Sequence, residues 1–235
     1  MIPWFGQWRL EKQRQQLLRN CPEGPLKEFY QAGFQSQRLP IRDAEIVVLD
    51  FETTGLDISK DHIISIGLVE IQQLGIPLNS SWHQFVKTSR NMPAGTAIIH
   101  QITDDMVADG ELMHQAMVEL LSRLAGKILL AHHASIELGF LNKVTTALYG
   151  QRFICPTIDT FVLGQRQLNR QQWLQQSGAL RLYNLRKIYG LPVYKAHNAF
   201  YDALSTAELF LALLNDLYPQ LDCKVNDLVS EPFKS

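Results

Sequence analysis

The chain has 235 residues, of which 46% are hydrophobic and 19% are charged, and its 22 basic and 23 acidic residues give a formal net charge of −1. This is the composition of a soluble globular protein with a substantial apolar core. No apolar run approaches the roughly 18 residues that cross a bilayer, so the sequence predicts no membrane partner. The amino terminus lacks the apolar centre of a signal peptide and the three cysteines are scattered. We therefore expect an unexported, cytoplasmic chain in a reducing compartment.

Three regions are predicted along the chain: a helical appendage over residues 1–42, a main domain over 43–220 and a tail over 221–235. Within the main domain, residues 46–49 form an apolar, β-branched run that is typical of a buried strand and that ends at the turn Thr53-Thr54-Gly55. Segments 63–71 and 80–86 have the pattern of two further strands. Their connections are too short for a crossover helix, so the three strands are predicted to be antiparallel.

After Pro93 the pattern changes to alternating helices and strands. Helices are predicted at 111–124, 135–147, 161–168, 181–189 and 198–217, and strands at 127–131 and 157–159. A strand meander followed by such an alternation indicates an α/β protein with a mixed sheet covered by helices.

The stretch between Asp159 and Asp202 contains no acidic residue. Its six cations are Arg166, Arg170, Arg181, Arg186, Lys187 and Lys195. Such a stretch would favour binding of a polyanion, but it could equally be a solvated helical face that lacks carboxylates. The sequence leaves both interpretations open.

A pair of carboxylates ends the first strand, in Asp50-Phe51-Glu52. If the strand continues through Glu52, its period of two puts both acids on one face and Phe51 on the other. Two buried acids need a positive partner, and a divalent cation is one. If the strand has already ended, both side chains reach water, so the pair alone does not decide between a metal site and an exposed loop.

A histidine and an aspartate flank the start of the last long helix. Asp202 in the first turn is favoured by the helix dipole and so has a structural explanation of its own. His197 lies just before the helix, and histidine side chains ordinarily titrate near neutral pH, which suits proton transfer.

Taken together, three ordered motifs resemble the DEDDh family of 3′-to-5′ exonucleases, the superfamily of the proofreading subunit of bacterial replicative DNA polymerase. The motifs are Asp50-Phe51-Glu52-Thr53-Thr54-Gly55-Leu56, then Ala131-His132-His133-Ala134-Ser135-Ile136-Glu137 with Phe140-Leu141, and finally His197 with Asp202. The family patterns are D-x-E-T-T-G-L, H-N-A-x-F-D-x-x-F-L and H-x-A-x-x-D-A. The resemblance covers approximately residues 43–217.

The resemblance implies an RNase H-like α/β fold, with a five-stranded mixed sheet, helices on both sides and a site at the end of the central strand. It further implies two-metal hydrolysis of a terminal phosphodiester, with two Mg²⁺ or Mn²⁺ ions as cofactors. Asp50, Glu52, Glu137 and Asp202 are then the metal ligands, and His197 is the general base. The implied substrate-binding residues are Phe51, Thr53, Thr54, Gly55, Leu56, His100, His133 and Phe140. The expected partner is the 3′ end of single-stranded nucleic acid, with a nucleoside monophosphate as product.

The second motif departs from the family at two positions, because Glu137 stands where the family has aspartate and His133 where it has asparagine. Glutamate keeps the charge but moves it outward by one methylene, which puts the second metal in doubt. Asp159 is an alternative donor, although no spacing argument favours it.

Two other functions remain open beside a DNA exonuclease. One is an exonuclease domain that binds nucleic acid or a polymerase without cutting, which the two departures suggest. The other is an RNA-trimming exoribonuclease of the same family, because no motif reports how a 2′-hydroxyl is read. Nucleotide-binding loops of the G-x-x-x-x-G-K-[ST] type, the zinc motif H-E-x-x-H and the hydrolase motif G-x-S-x-G are absent from the sequence.

Overall fold

The computed structural model describes residues 3–87, 110–170, 178–195 and 197–230. Within these ranges the strands are β1 (Ile46–Thr53), β2 (Ile63–Ile71), β3 (Trp82–Phe85), β4 (Ile128–Ala131) and β5 (Thr157–Asp159). The α-helices are α1 (Pro3–Asn20), α2 (Pro25–Gln31), α3 (Met113–Leu124), α4 (Ser135–Tyr149), α5 (Thr160–Arg170), α6 (Leu182–Ile188) and α7 (Ala199–Leu217). From residue 45 onward, every predicted strand and helix is confirmed, with ends that differ by two residues at most.

The strands form one five-stranded mixed sheet in the order β3-β2-β1-β4-β5. β1 is the central strand; it pairs antiparallel with β2 and parallel with β4, and the remaining pairs are β2 antiparallel with β3 and β4 parallel with β5. Parallel strands need a crossover connection, and α4 supplies it between β4 and β5. The predicted α/β sheet of RNase H-like type is therefore confirmed.

Alternation along β1 divides the core into two layers. Val47 and Leu49 face a first cluster that receives side chains from α2, α3 and α4. Ile46 and Val48 face a second cluster that receives side chains from α5, α6 and α7. Both faces of the central strand are buried up to Leu49, which explains why its sequence is continuously apolar rather than alternating.

The described segments before β1 and after α7 pack against these layers. Phe29 and Tyr30 of α2 are fully buried in the first cluster, and the Tyr30 hydroxyl donates a hydrogen bond of 2.7 Å to the Arg152 carbonyl. After α7, Val225 is buried in the second cluster and its N–H donates to the Leu39 carbonyl at 3.0 Å. The three-part division at residues 42 and 221 remains a prediction.

Two of the six cations of the acid-free stretch have partners within the chain. Arg186 is buried and bonds the Ser205 carbonyl and the Glu208 carboxylate, and Arg166 donates to the Asp227 carbonyl at 2.9 Å. The other four are exposed: Arg170, Arg181, Lys187 and Lys195. Among the described residues, no helix has the length and apolar content to cross a membrane.

Candidate active site

The carboxylates of Asp50 and Glu52 extend the second face of β1 beyond its apolar part. β1 runs to Thr53, so the strand period keeps both acids on the face of Ile46 and Val48, and Phe51 packs into the first cluster on the other face. Glu52 is buried and Asp50 is partly buried. The strand continues far enough to hold both side chains on the covered face, which removes the exposed-loop interpretation.

Helix α7 brings Asp202 to the same place. The helix begins after Asn198, whose side-chain oxygen accepts the Tyr201 N–H at 3.2 Å as an N-cap. Its first turn lies directly on β2 at Gly67, where an added Cβ atom would fall 2.0 Å from the Ala199 carbonyl carbon. Because Gly67 is the partner of Asp50 in the β1–β2 register, this close approach aligns the helix start with the acids.

Three carboxylates therefore converge. One oxygen from each of Asp50, Glu52 and Asp202 lies within 4.8 Å of the others. Burial raises the pKa of Asp50 well above its usual value, and the charges of Asp202, Glu137 and Glu52 add to this. Burial, followed by the charge of Glu52, raises the pKa of Asp202 to about 6. Without a cation these groups repel one another and favour protonation.

Glu137 lies close to these three carboxylates but is not among those that lie within 4.8 Å of one another. It occupies the first turn of α4, is 4% exposed, and its Oε2 is buried without a hydrogen-bond partner. Burial raises the pKa of Glu137 to about 8, and its charge acts on Asp50. A buried carboxylate oxygen with no donor is costly unless a proton or a cation reaches it.

Asp159 has a structural role. Its Oδ1 accepts the His133 and Phe161 N–H groups at 2.9 Å, and its Oδ2 accepts the Ala134 N–H at 3.0 Å. Both oxygens therefore hold the chain at the starts of α4 and α5, and we expect no metal ligand from this residue. His133 itself is exposed, with its ring 4.9 Å from that of Phe161.

His197 is exposed beside the acids. Its backbone N–H donates to Asp202 Oδ2 at 2.9 Å, and its φ of 63° lies in the left-handed region. The structure thus holds His197 next to a member of the acidic cluster, with its side chain open to solvent.

Comparison with known proteins identifies the family. A family model described as Exonuclease matches residues 47–210, which is more than half of the chain. The matched segment includes Asp50, Glu52 and Asp202. The chain belongs to this exonuclease family. The membership indicated by the three motifs is thereby confirmed.

Two curated relatives and one solved structure give the scale of the similarity. DNA polymerase III PolC-type of Thermotoga maritima is 35% identical over 172 residues, which are 72% of this chain but only 12% of that protein. DNA polymerase III subunit epsilon of Treponema pallidum is 32% identical over 168 residues, 70% of this chain and 74% of that one. A structure of Exonuclease X in complex with 5′ overhanging duplex DNA has a TM-score of 0.59 at 22% identity, covering 77% of this chain and 98% of that one. This last likeness concerns the fold.

The loop after β1 in this exonuclease-family chain is tightly bonded. The Thr53 hydroxyl donates to the Gly55 carbonyl at 2.8 Å, and the Thr54 hydroxyl donates to Asp61 Oδ1 at 3.0 Å. An added Cβ at Gly55 would fall 2.5 Å from Asp61 Oδ2, so the Asp61 carboxylate would have to move. Leu56 is 75% exposed, so this loop presents a large apolar side chain to solvent.

The remaining predicted substrate-binding residues are placed differently. Phe51 and Phe140 both lie in the first core cluster, and Phe140 has no exposed surface. His100 falls outside the described residues. Contact of these three side chains with substrate stays a prediction.

Gly67 is the main residue of the site that was not predicted from the sequence. A glycine inside an otherwise apolar strand marks a close approach of another backbone, and that signal was available in 63–71. Ser65 of β2, which is opposite Glu52, and His83 of β3 had no comparable signal, because a serine and a histidine in strands are individually ordinary.

The residues present fit a divalent cation of the hard, oxygen-binding type. Carboxylates are the donors that Mg²⁺ and Mn²⁺ prefer, three of them converge, and the unpartnered Glu137 oxygen lies nearby. The donor set thus agrees with the metal type that the family resemblance implies.

Proposed function

We propose that this chain is a metal-dependent 3′-to-5′ exonuclease that releases nucleoside monophosphates from the 3′ end of single-stranded DNA. The observation that carries the proposal is the convergence of Asp50, Glu52 and Asp202 within 4.8 Å on a chain of the exonuclease family. The chain spans only about an eighth of the length of its PolC-type relatives. The proposed activity is therefore that of this chain and not of those whole proteins.

The carboxylates have distinct roles in this mechanism. Two bound divalent cations supply stabilisation of the attacking and leaving oxygens in an in-line displacement at phosphorus. Asp50, Glu52 and Asp202 would hold the first cation, and Asp50 would also be a ligand of the second. Glu137 would assist the second through its buried, unpartnered oxygen.

His197 acts as the general base in this proposal. It is exposed, so an attacking water reaches its ring, and its backbone is tied to Asp202. Removal of a proton from that water in the transition state is the task for which an imidazole is suited near neutral pH.

Exposed apolar and aromatic side chains support a single strand as substrate. Leu56 projects from the loop after β1, the ring of Tyr201 stacks with that of Tyr194 next to Asp202, and His133 packs against Phe161. Bases of a single strand stack on aromatic side chains with little sequence preference. The threonines of the first motif, Thr53 and Thr54, hold the loop that presents Leu56.

DNA is the favoured substrate because the curated relatives are named as DNA polymerase III chains. The same names favour a polymerase as a protein partner of this chain. An RNA substrate uses the same chemistry, so it is an outcome of the experiment rather than a separate mechanism.

The test compares matched 5′-labelled DNA and RNA oligonucleotides with the purified chain in Mg²⁺, in Mn²⁺ and in EDTA. We expect a ladder that shortens from the 3′ end of DNA, nucleoside monophosphate as product, and no cleavage in EDTA. The Asp50→Ala variant, purified identically, controls for contaminating nucleases. Cleavage that survives chelation, or that persists in this variant, would contradict the proposal; faster digestion of RNA would change the substrate and keep the chemistry.

A further inference from the structure

A buried hydroxyl and an imidazole lie on the Glu52 side of the sheet, on β2 and on the edge strand β3. Ser65 is directly opposite Glu52 in the pairing of β1 with β2, and His83 of β3 is opposite Gly67. Because paired residues of antiparallel strands project on the same face, Ser65 and His83 share the face of the acidic cluster. Ser65 Oγ and His83 Nε2 are 2.8 Å apart.

This pair is held firmly. Ser65 has no exposed surface, and a buried hydroxyl is costly without a hydrogen-bond partner. The ring of His83 makes an edge contact with the ring of Phe85 at 4.9 Å between centroids, which restricts its orientation. The hydroxyl therefore has one defined neighbour on the β3 side.

On the β1 side, the neighbour of Ser65 is Glu52. Cβ atoms of directly opposed residues in an antiparallel pair are about 4.5–5.5 Å apart, so the hydroxyl lies within reach of the Glu52 carboxylate. The charge of that carboxylate also acts on His83, although burial is the stronger effect and keeps the pKa of His83 below its usual value. A neutral ring has one N–H to donate.

We propose that Ser65 and His83 are positioning residues of the metal centre: His83 Nε2–H donates to Ser65 Oγ, and the Ser65 hydroxyl donates to the Glu52 carboxylate and orients it toward the cation. Each group is used once in this arrangement, since the hydroxyl accepts one hydrogen bond and donates its single proton. Partners behind a metal ligand commonly set its orientation and its affinity. The inference rests on the proposed metal-dependent function.

The experiment measures Mn²⁺ binding to the full chain by electron paramagnetic resonance, without substrate, together with thermal unfolding. The variants are Ser65→Ala, His83→Leu, the double variant and His83→Gln, whose amide can donate in place of Nε2–H. Glu52→Gln serves as the positive control for loss of the site. His114→Ala, at an exposed histidine of α3, is the matched control for removal of an imidazole.

We expect Ser65→Ala and His83→Leu each to weaken Mn²⁺ binding by about 10- to 100-fold, with the double variant no weaker than the worse single variant. His83→Gln should recover most of the affinity, and His114→Ala should bind as the unsubstituted chain does. Unchanged Mn²⁺ affinity in Ser65→Ala and His83→Leu, with Glu52→Gln defective, would overturn the positioning role and leave the proposed function intact. Failure of the unsubstituted chain to bind Mn²⁺ would overturn both.

Discussion

The carboxylate of Asp202 accepts the backbone N–H of His197 at 2.9 Å, so one side chain both belongs to the acidic cluster and fixes the residue proposed as general base. His197 has a positive φ of 63°, a conformation that is unfavourable for residues other than glycine unless the surroundings hold it. Occupancy of the metal site and the position of the base are therefore linked through Asp202.

Substitution of Asp202 separates these two roles. Asp202→Asn removes the charge but keeps an acceptor for the His197 N–H, whereas Asp202→Ala removes both. Loss of a residue that hydrogen-bonds to a metal ligand typically weakens metal binding by about 10- to 100-fold, and we expect both Asp202 variants to lose more Mn²⁺ affinity than this. Amide hydrogen exchange at His197 should stay slow in Asp202→Asn and become fast in Asp202→Ala. Equal exchange in the two variants would show that this hydrogen bond does not hold the backbone.

The close approach of α7 to β2 predicts a severe effect of Gly67→Ala. The added Cβ would lie 2.0 Å from the Ala199 carbonyl carbon, so the helix start must move away from the sheet. We expect a loss of about 1–3 kcal/mol or more in the free energy of unfolding, measured by urea denaturation, and weakened Mn²⁺ binding because Asp202 moves with the helix.

The matched control is Gly75→Ala, where the added Cβ meets the Gln72 carbonyl oxygen at an ordinary 3.5 Å. This variant should stay within about 0.5 kcal/mol of the unsubstituted chain. Normal Mn²⁺ binding by a folded Gly67→Ala chain would contradict the role given to Gly67.

The buried carboxyls predict that the metal-free chain is less stable at high pH. Burial raises the pKa of Glu137 to about 8 and that of Asp202 to about 6, whereas in the unfolded chain such groups lose their protons near pH 4. Between these limits the folded chain holds more protons than the unfolded chain, so the free energy of unfolding falls as the pH rises. Each unit of raised pKa contributes about 1.4 kcal/mol to this fall.

Urea unfolding in EDTA from about pH 5 to about pH 8 measures this dependence. Glu137→Gln should reduce the slope over the upper part of the range, and added Mg²⁺ should raise stability most at the alkaline end. A chain whose stability in EDTA rises with pH over this range would contradict the assignment of raised pKa values.

Glu137→Asp tests whether the longer acid is a compromised ligand. If it is, the second cation binds more weakly than the first, and Glu137→Asp should lower the Mg²⁺ concentration needed for half-maximal cleavage or leave activity unchanged. If the site is built around the glutamate, the shorter acid should reduce turnover by tenfold or more, since a misplacement of about 1 Å can cost 10² in rate. Full activity in Glu137→Ala would remove this residue from the site.

His197→Ala should reduce turnover by about 10² to 10⁴ and leave Mn²⁺ binding nearly unchanged, because a general base acts in the transition state and holds no cation. Turnover and single-strand binding are measured on the same preparation. A loss of binding as large as the loss of turnover would assign His197 to substrate positioning. The exposed His114 again supplies a control, and its substitution by alanine should alter neither quantity.

Much of the fold was predictable because its signals are local. The apolar run of β1, the glycine- and proline-bounded connections and the periodicity of α7 depend on neighbouring residues, and these elements occur where they were expected. The shared face of Asp50 and Glu52 likewise follows from the strand period alone. The order and spacing of the three motifs then sufficed to indicate the family.

The three-dimensional arrangement of the site had to come from tertiary structure. Nothing local to Asp202 indicates that Gly67 lets α7 lie on β2 and bring this acid to β1. Nor does the sequence around Asp159 indicate that both of its carboxylate oxygens accept backbone N–H groups. The burial of Glu137 and the pairing of Ser65 with His83 also depend on residues far apart in the chain. The sequence by itself determined which residues alternate and which elements form, because those depend on short-range geometry. Only the tertiary structure decided which carboxylates meet, because convergence depends on how helices pack against the sheet over long sequence separations.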